Sequence, residues 1–208
     1  MKHTSLQIIR DEHASLAAML QSMRMMVDRG PADNAENFFD VMRAMLFYID
    51  EFPERLHHPK ESNLLFPRVA KAVPHVMGTV DRLERDHMHS EKSVRDVQHL
   101  LLSWELLGDS RRQAFTDAFK QYVDAYLEHM RLEEEVILPE AEKVLTEADW
   151  KELDAAFETN CDPLTGKYPP DPAYDRLFTR IVMRAPAPIE VSVTSTPRIT
   201  PAPTVRLS

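Results

Sequence analysis

The chain has few glycines, a single cysteine and no long apolar run. Four glycines in 208 residues leave few positions for the left-handed backbone of hairpin turns, and β-branched residues are not clustered, so helix is favoured over sheet. A single cysteine, Cys161, excludes an intrachain disulfide and points to a reducing compartment. No run approaches the roughly 18 consecutive apolar residues that cross a bilayer. Met1-Lys2-His3-Thr4-Ser5 leads into an amphipathic segment instead of an apolar signal core. An excess of positive charge is missing too. Lys and Arg number 25 against 34 Asp and Glu, for a net charge of −9, so no basic stripe exists for nucleic acid. The expectation is a soluble cytoplasmic protein with no membrane and no nucleic-acid partner.

What is present is helical periodicity. A first helix over 5–28 carries the stripe Leu6, Ile9, His13, Leu16, Leu20, Met23 and Val27, with Ser5 as N-cap and Gly30-Pro31 as its end. A second runs from about Asp33 to Val73 through Phe38, Met42, Leu46, Ile49, Pro53, His57, Glu61 and Leu64. Pro53 and Pro59 lie inside that pattern, which predicts a kinked but continuous helix. A third over 76–107 carries Val80, Leu83, His87, Glu91 (or Ser90), Val94, Gln98 and Leu101, and a fourth over 110–145 carries Phe115, Phe119, Tyr122, Tyr126, His129, Glu133 and Ile137. Shorter helices are expected over 147–159 and 173–184. Residues 185–208 hold five prolines in 24 residues and read as a disordered tail. The fold class is all-α: one domain over 1–184, built on an antiparallel up-down-up-down four-helix bundle.

A repeat runs through these helices. His57-His58-Pro59-Lys60-Glu61 is echoed 72 residues on by His129-Met130-Arg131-Leu132-Glu133, and each copy continues through an apolar triplet to a proline, Pro67 or Pro139. His and Glu four apart share one helix face, so each copy presents an imidazole and a carboxylate to one point. His13 lies 44 residues before His57, and His87 lies 42 before His129. The chain thus reads as two helical hairpins, each with a lone histidine and a His-x-x-x-Glu pair. Six convergent nitrogen and oxygen donors with no thiolate suit two metal ions sharing carboxylates; such donors suit Fe, Mn or Zn, and octahedral geometry points toward Fe. His3, His58, His75, His89 and His99 fall off the stripes and read as surface residues. Glu51, Glu54, Glu134 and Glu135 read as solvent-facing, and Glu12 and Asp86 as members of a solvated face. Tyr122 and Tyr126 read as buried aromatics, with hydrogen bonding to a bound oxygen species as the alternative.

These motifs resemble the hemerythrin-like proteins of the HHE cation-binding family over about residues 4–160. The resemblance implies a non-haem di-iron centre. His13 and His57 would hold one iron and His87 and His129 the other, with Glu61, Glu133 and an oxo or hydroxo group as bridges. Oxygen-carrying hemerythrins have a second histidine one turn after that of the third helix; here Glu91 stands there and is expected to serve as an oxygen ligand. They also carry His-x-x-x-x-Asp on the last helix, where this chain has His129-x-x-x-Glu133. The equivalent first-helix place is Ala17, which donates nothing, so the iron of His13 and His57 should keep a position open for O2, NO or peroxide. The extra carboxylate favours sensing, iron handling or peroxide chemistry over reversible O2 carriage. The alternative is a di-iron peroxidase or oxidase. A sensing role would call for a separate, unidentified protein partner.

Overall fold

Helix α1 (Thr4–Arg29) stops where Gly30 adopts φ 70° and returns its N–H to the carbonyls of Met26 and Val27, a left-handed turn that glycine makes without Cβ strain. The computed structural model describes residues 3–31, 34–167 and 172–186, and all regular structure among them is helical. The expected cap, Ser5, is not the cap of α1. That position is His3, and the Ser5 N–H and hydroxyl both donate to the Asp154 carboxylate, at 2.8 and 2.6 Å. A first-turn N–H with no partner in its own helix is thus satisfied by another helix. Helix α2 (Ala35–Glu51) is capped by the Asn34 side chain, which accepts from the Asn37 N–H at 3.1 Å. Its expected start at Asp33 lies outside the described residues.

Past Glu51 the chain stays helical, but unevenly. A π turn spans Pro53–His57, one α turn His58–Lys60, a second π turn Glu61–Leu65, and helix α3 Phe66–Ala72 follows. Helices α4 (Met77–Leu107) and α5 (Arg112–Leu132) come next, then a third π turn at Glu133–Ile137 and helix α6 (Leu138–Val144). The prolines explain these widened turns. A proline in a helix lacks an N–H and its ring crowds the carbonyl four residues back. Four before Pro59, Pro67 and Pro139 are Arg55, Asn63 and Glu135, the central residues of the three π turns. In each case the residue just before the proline bonds five residues back: His58 to Pro53, Phe66 to Glu61, Leu138 to Glu133. The ladder opens by one residue instead of breaking. Where a kink is expected near Pro53 and Pro59, the structure has a change of register.

Helix α7 (Glu147–Phe157) begins with a capping box between Thr146 and Asp149, and α8 (Asp175–Arg184) is the last described helix. The long helices pack α1 on α2 and α5, and α4 on α2 and α5, with α7 against α1 and α8 against α2. The apolar interior is in two parts. One cluster joins Leu16–Val27, Phe38–Ile49, Val94–Trp104 and Phe115–Met130; the other joins Leu6–Ile9, Leu65–Leu83, Ile137–Ala141 and Trp150–Phe157. Between them in sequence lie the inward histidines and glutamates: Glu12 and His13 on the first stretch, Glu54, His57, His58 and Glu61 on the second, the half-buried His87 on α4, and His129 and Glu133 on the last. No helix among the described residues is long and apolar enough to cross a membrane. Of the tail expected over 185–208, everything from residue 187 on lies outside the described residues.

Candidate metal centre

Between the two apolar clusters lie His13, His57, His58, His129, Glu61 and Glu133, all buried, and His87, whose side chain is 7% exposed. Each histidine turns Nδ1 outward to an oxygen. His13 meets Glu134 at 3.0 Å, His57 meets Glu12 at 2.6 Å and His58 meets Glu54 at 3.0 Å. His87 meets the Ser62 hydroxyl at 2.9 Å and His129 lies 3.5 Å from Asp86. An oxygen on Nδ1 sets ring orientation and, where Nδ1 carries the proton, leaves the Nε2 lone pair free for a metal.

Four of the five Nε2 atoms converge. His57 Nε2 is 2.7 Å from Glu61 Oε1, His13 Nε2 is 3.1 Å from Glu133 Oε2, and the Nε2 atoms of His87 and His129 are 3.0 Å apart. Glu61 Oε2 reaches to 3.5 Å from His87, and Glu133 Oε2 to 3.8 Å from His129. His58 differs: its Nε2 faces the Tyr126 hydroxyl at 3.0 Å. His57 Nε2 and both oxygens of Glu61 and of Glu133 are buried without a hydrogen bond. Five buried donor atoms that face one another without a well-formed hydrogen bond are costly to bury. The donors fall into two groups, His13, His57, Glu61 and Glu133, and His58, Glu61, His87 and His129, each within 4.8 Å. Imidazole and carboxylate sets of this kind fit metal ions, which would take up the orphaned lone pairs.

In the metal-free protein protons stand in for cations. Burial pulls His13 down, but Glu133 and Glu134 outweigh it and hold it up at about 9. Burial likewise pulls His57 down, but Glu61 and Glu12 outweigh it and raise His57 well above its ordinary value. His87, buried beside the His58 and His129 rings, is pushed down to about 2. Burial and the neighbouring Glu133 push Glu61 up. His13 and His57 must therefore surrender protons on coordinating a cation. Metal titrated into weakly buffered protein at pH 7 should release acid, and affinity should rise by about tenfold per pH unit for each such proton below its pKa. Affinity that is flat between pH 6 and 8 would mean that both imidazoles are already neutral.

The structure brings together His13, His57, Glu61, His87, His129 and Glu133, as the spacing requires. It does not bring in Glu91. That carboxylate is exposed and paired with Arg95 at 2.5 Å; Ser90, its neighbour, takes the inward place and donates to Glu54. His58 and Glu54 are not surface residues: the π turn at Pro53–His57 adds one residue to the turn, so Pro53, Glu54, His57 and His58 are all buried. Glu12 is buried against His57, and Glu134, though partly exposed, holds His13. The usable signal was the His57-His58 doublet directly before a proline. Glu91→Ala should leave metal content unchanged, while His58→Ala should lower it, as metal analysis of the purified variants would show.

Compared with known protein families, the chain matches the model described as Hemerythrin HHE cation binding domain over residues 4–141. No curated protein matches it.

Proposed function

The chain belongs to the hemerythrin HHE cation-binding family, and from that premise we propose that it is a non-haem di-iron protein binding O2, NO or peroxide. In this reading His13 and His57 would hold one iron, and His87 and His129, with His58 beside them, the other; Glu61 and Glu133 would supply carboxylate oxygens between the two groups. The observation that carries it is the set of buried oxygens of Glu61 and Glu133, which make no hydrogen bond and lie between two groups of imidazoles. The irons would supply the electrons that a diatomic ligand or peroxide accepts. The chain would supply the rest. A cavity of about 20 Å³ adjoins His13 and His57, bounded by Leu16, Phe52, Leu56 and Met130. It has room for one water-sized molecule, and Ala17 on the same helix offers no donor to fill the place. The apolar walls would exclude bulk water, and Tyr126 bounds the same space.

We further read residues 1–184 as one unit with up-down-up-down helix order, in the cytoplasm, working as a sensor or in iron and oxygen handling with a separate protein partner. A second reading, a peroxidase or oxidase, is favoured by one feature. Ser90 and Ser93 of α4 face Ala118 and Ala125 of α5 across a cleft of about 350 Å³ that reaches His87 and His129. That is the low end of the volumes that take small organic molecules, and an organic reductant would need such an entrance. The test is metal content per chain, with the visible spectrum recorded before and after reduction and on adding O2, NO or hydrogen peroxide. About two irons and one spectral change per site mean a binder; peroxide consumed over many cycles means an enzyme; no iron overturns both.

A further inference from the structure

The centre is shaped by a residue beyond the matched domain. The family match ends at residue 141, yet the buried Asn160, in the loop after α7, is in contact with the network around His57. Its Nδ2 donates to Glu12 Oε2 at 2.9 Å, the same oxygen that His57 Nδ1 meets at 2.6 Å. Its other end faces Lys60, whose ammonium donates to Oδ1 and to the Thr159 hydroxyl at 2.9 Å. An ammonium can only donate and a carboxylate can only accept, so the amide is held in one orientation between them. The backbone supports this placement. Cys161 takes φ 48°, an uncommon left-handed conformation for a residue with a Cβ, between the inward side chains of Asn160 and Asp162, both 4% exposed. Asp162 is anchored in turn by the Tyr48 hydroxyl and the Leu164 N–H. Both residues also line the small cavity beside His13 and His57.

We propose that Asn160 is a positioning residue for the metal centre: it holds the Glu12 carboxylate on His57 Nδ1 and so aims His57 Nε2 at the cation. The segment after the matched domain is then a working wall of the site. The inference rests on the metal-binding reading above. Lys60 lies next to Glu61 in the chain, so the Lys60–Asn160–Glu12–His57 path ties the loop to both inward residues of the His57-x-x-x-Glu61 pair.

The test uses full-length protein loaded with iron, following metal release to a chelator. Asn160→Ala should speed release from one of the two sites by about tenfold, the low end of the 10–100-fold cost of losing an outer partner of a ligand histidine. Asn160→Asp, which sets a carboxylate against Glu12, should do more. In a Glu12→Ala background Asn160→Ala should add little, because the two act in series. The same factor with and without Glu12 would mean that Asn160 only packs the loop, and wild-type release in Asn160→Ala would overturn the proposal outright. The metal-free protein gives a separate reading: the His57 Nδ1 proton, followed by nuclear magnetic resonance, should exchange with water faster in Asn160→Ala. Should the wild type bind no metal, the di-iron reading fails while this exchange measurement still decides whether Asn160 orders His57. Unchanged exchange would refute it there too.

Discussion

Glu61→Ala is expected to reduce metal content to near zero. Glu61 belongs to both groups of donors: one oxygen lies 2.7 Å from His57 Nε2 and the other 3.5 Å from His87 Nε2. The carboxylate is fully buried and neither oxygen has a hydrogen bond, so no protein group is ready to replace it. Its loss also leaves two buried sets of imidazoles with less negative charge between them, and a cation is then opposed on both sides. Glu61→Gln keeps the volume and should lose metal almost as completely, which separates the chemistry from any cavity left by alanine. Glu133→Ala should follow, since Glu133 lies 3.1 Å from His13 and 3.8 Å from His129. Elemental analysis after gel filtration checks all three. Retention of one full equivalent in Glu61→Ala would show that the two sites do not share this residue.

The second large effect is on stability and lies far from the centre. Trp104 is 2% exposed and sits edge-on to Phe38 and Phe39, with ring centroids 5.3 and 5.2 Å away. Its indole N–H donates to Asp109 at 2.9 Å, and the Arg112 guanidinium lies 5.5 Å above the ring. Trp104→Ala should cost about 3–5 kcal/mol by removing this contact area and leaving a cavity, a fall in melting temperature of about 6–20 °C. Metal content measured well below the new midpoint should be unchanged. The polar layer separates the Trp104 cluster from the cluster of Phe66 and Phe157, and Trp104 touches none of the metal-facing side chains in its ring and hydrogen-bond contacts. A drop in metal content at low temperature would show that the aromatic end governs ligand geometry.

Helix periodicity by itself determined which four stretches run through the protein and that His13, His57, His87 and His129 share a layer with Glu61 and Glu133. Those residues are legible because a 3.6-residue repeat carries a donor inward as surely as a leucine, and because His and Glu four apart stay on one face whatever the helix packs against. Family membership follows from the same pattern. What periodicity did not contain was the correction that prolines make to it. The π turns centred on Arg55, Asn63 and Glu135 each add a residue, and the first of them brings His58 and Glu54 inside although they lie off an unbroken stripe. At the third-helix position no such turn intervenes, and the choice between Ser90 and Glu91 went to the smaller residue: Glu91 is satisfied by Arg95 at the surface, while Ser90 fits against Glu54. The outer partners were still less legible. Glu12, Glu134 and Asn160 act on histidines 45, 121 and, through Glu12, 103 residues away, and no spacing rule links residues on different elements. Those contacts exist only once the helices are packed, because burial is what gives a carboxylate at a helix edge one imidazole to face and no water to prefer.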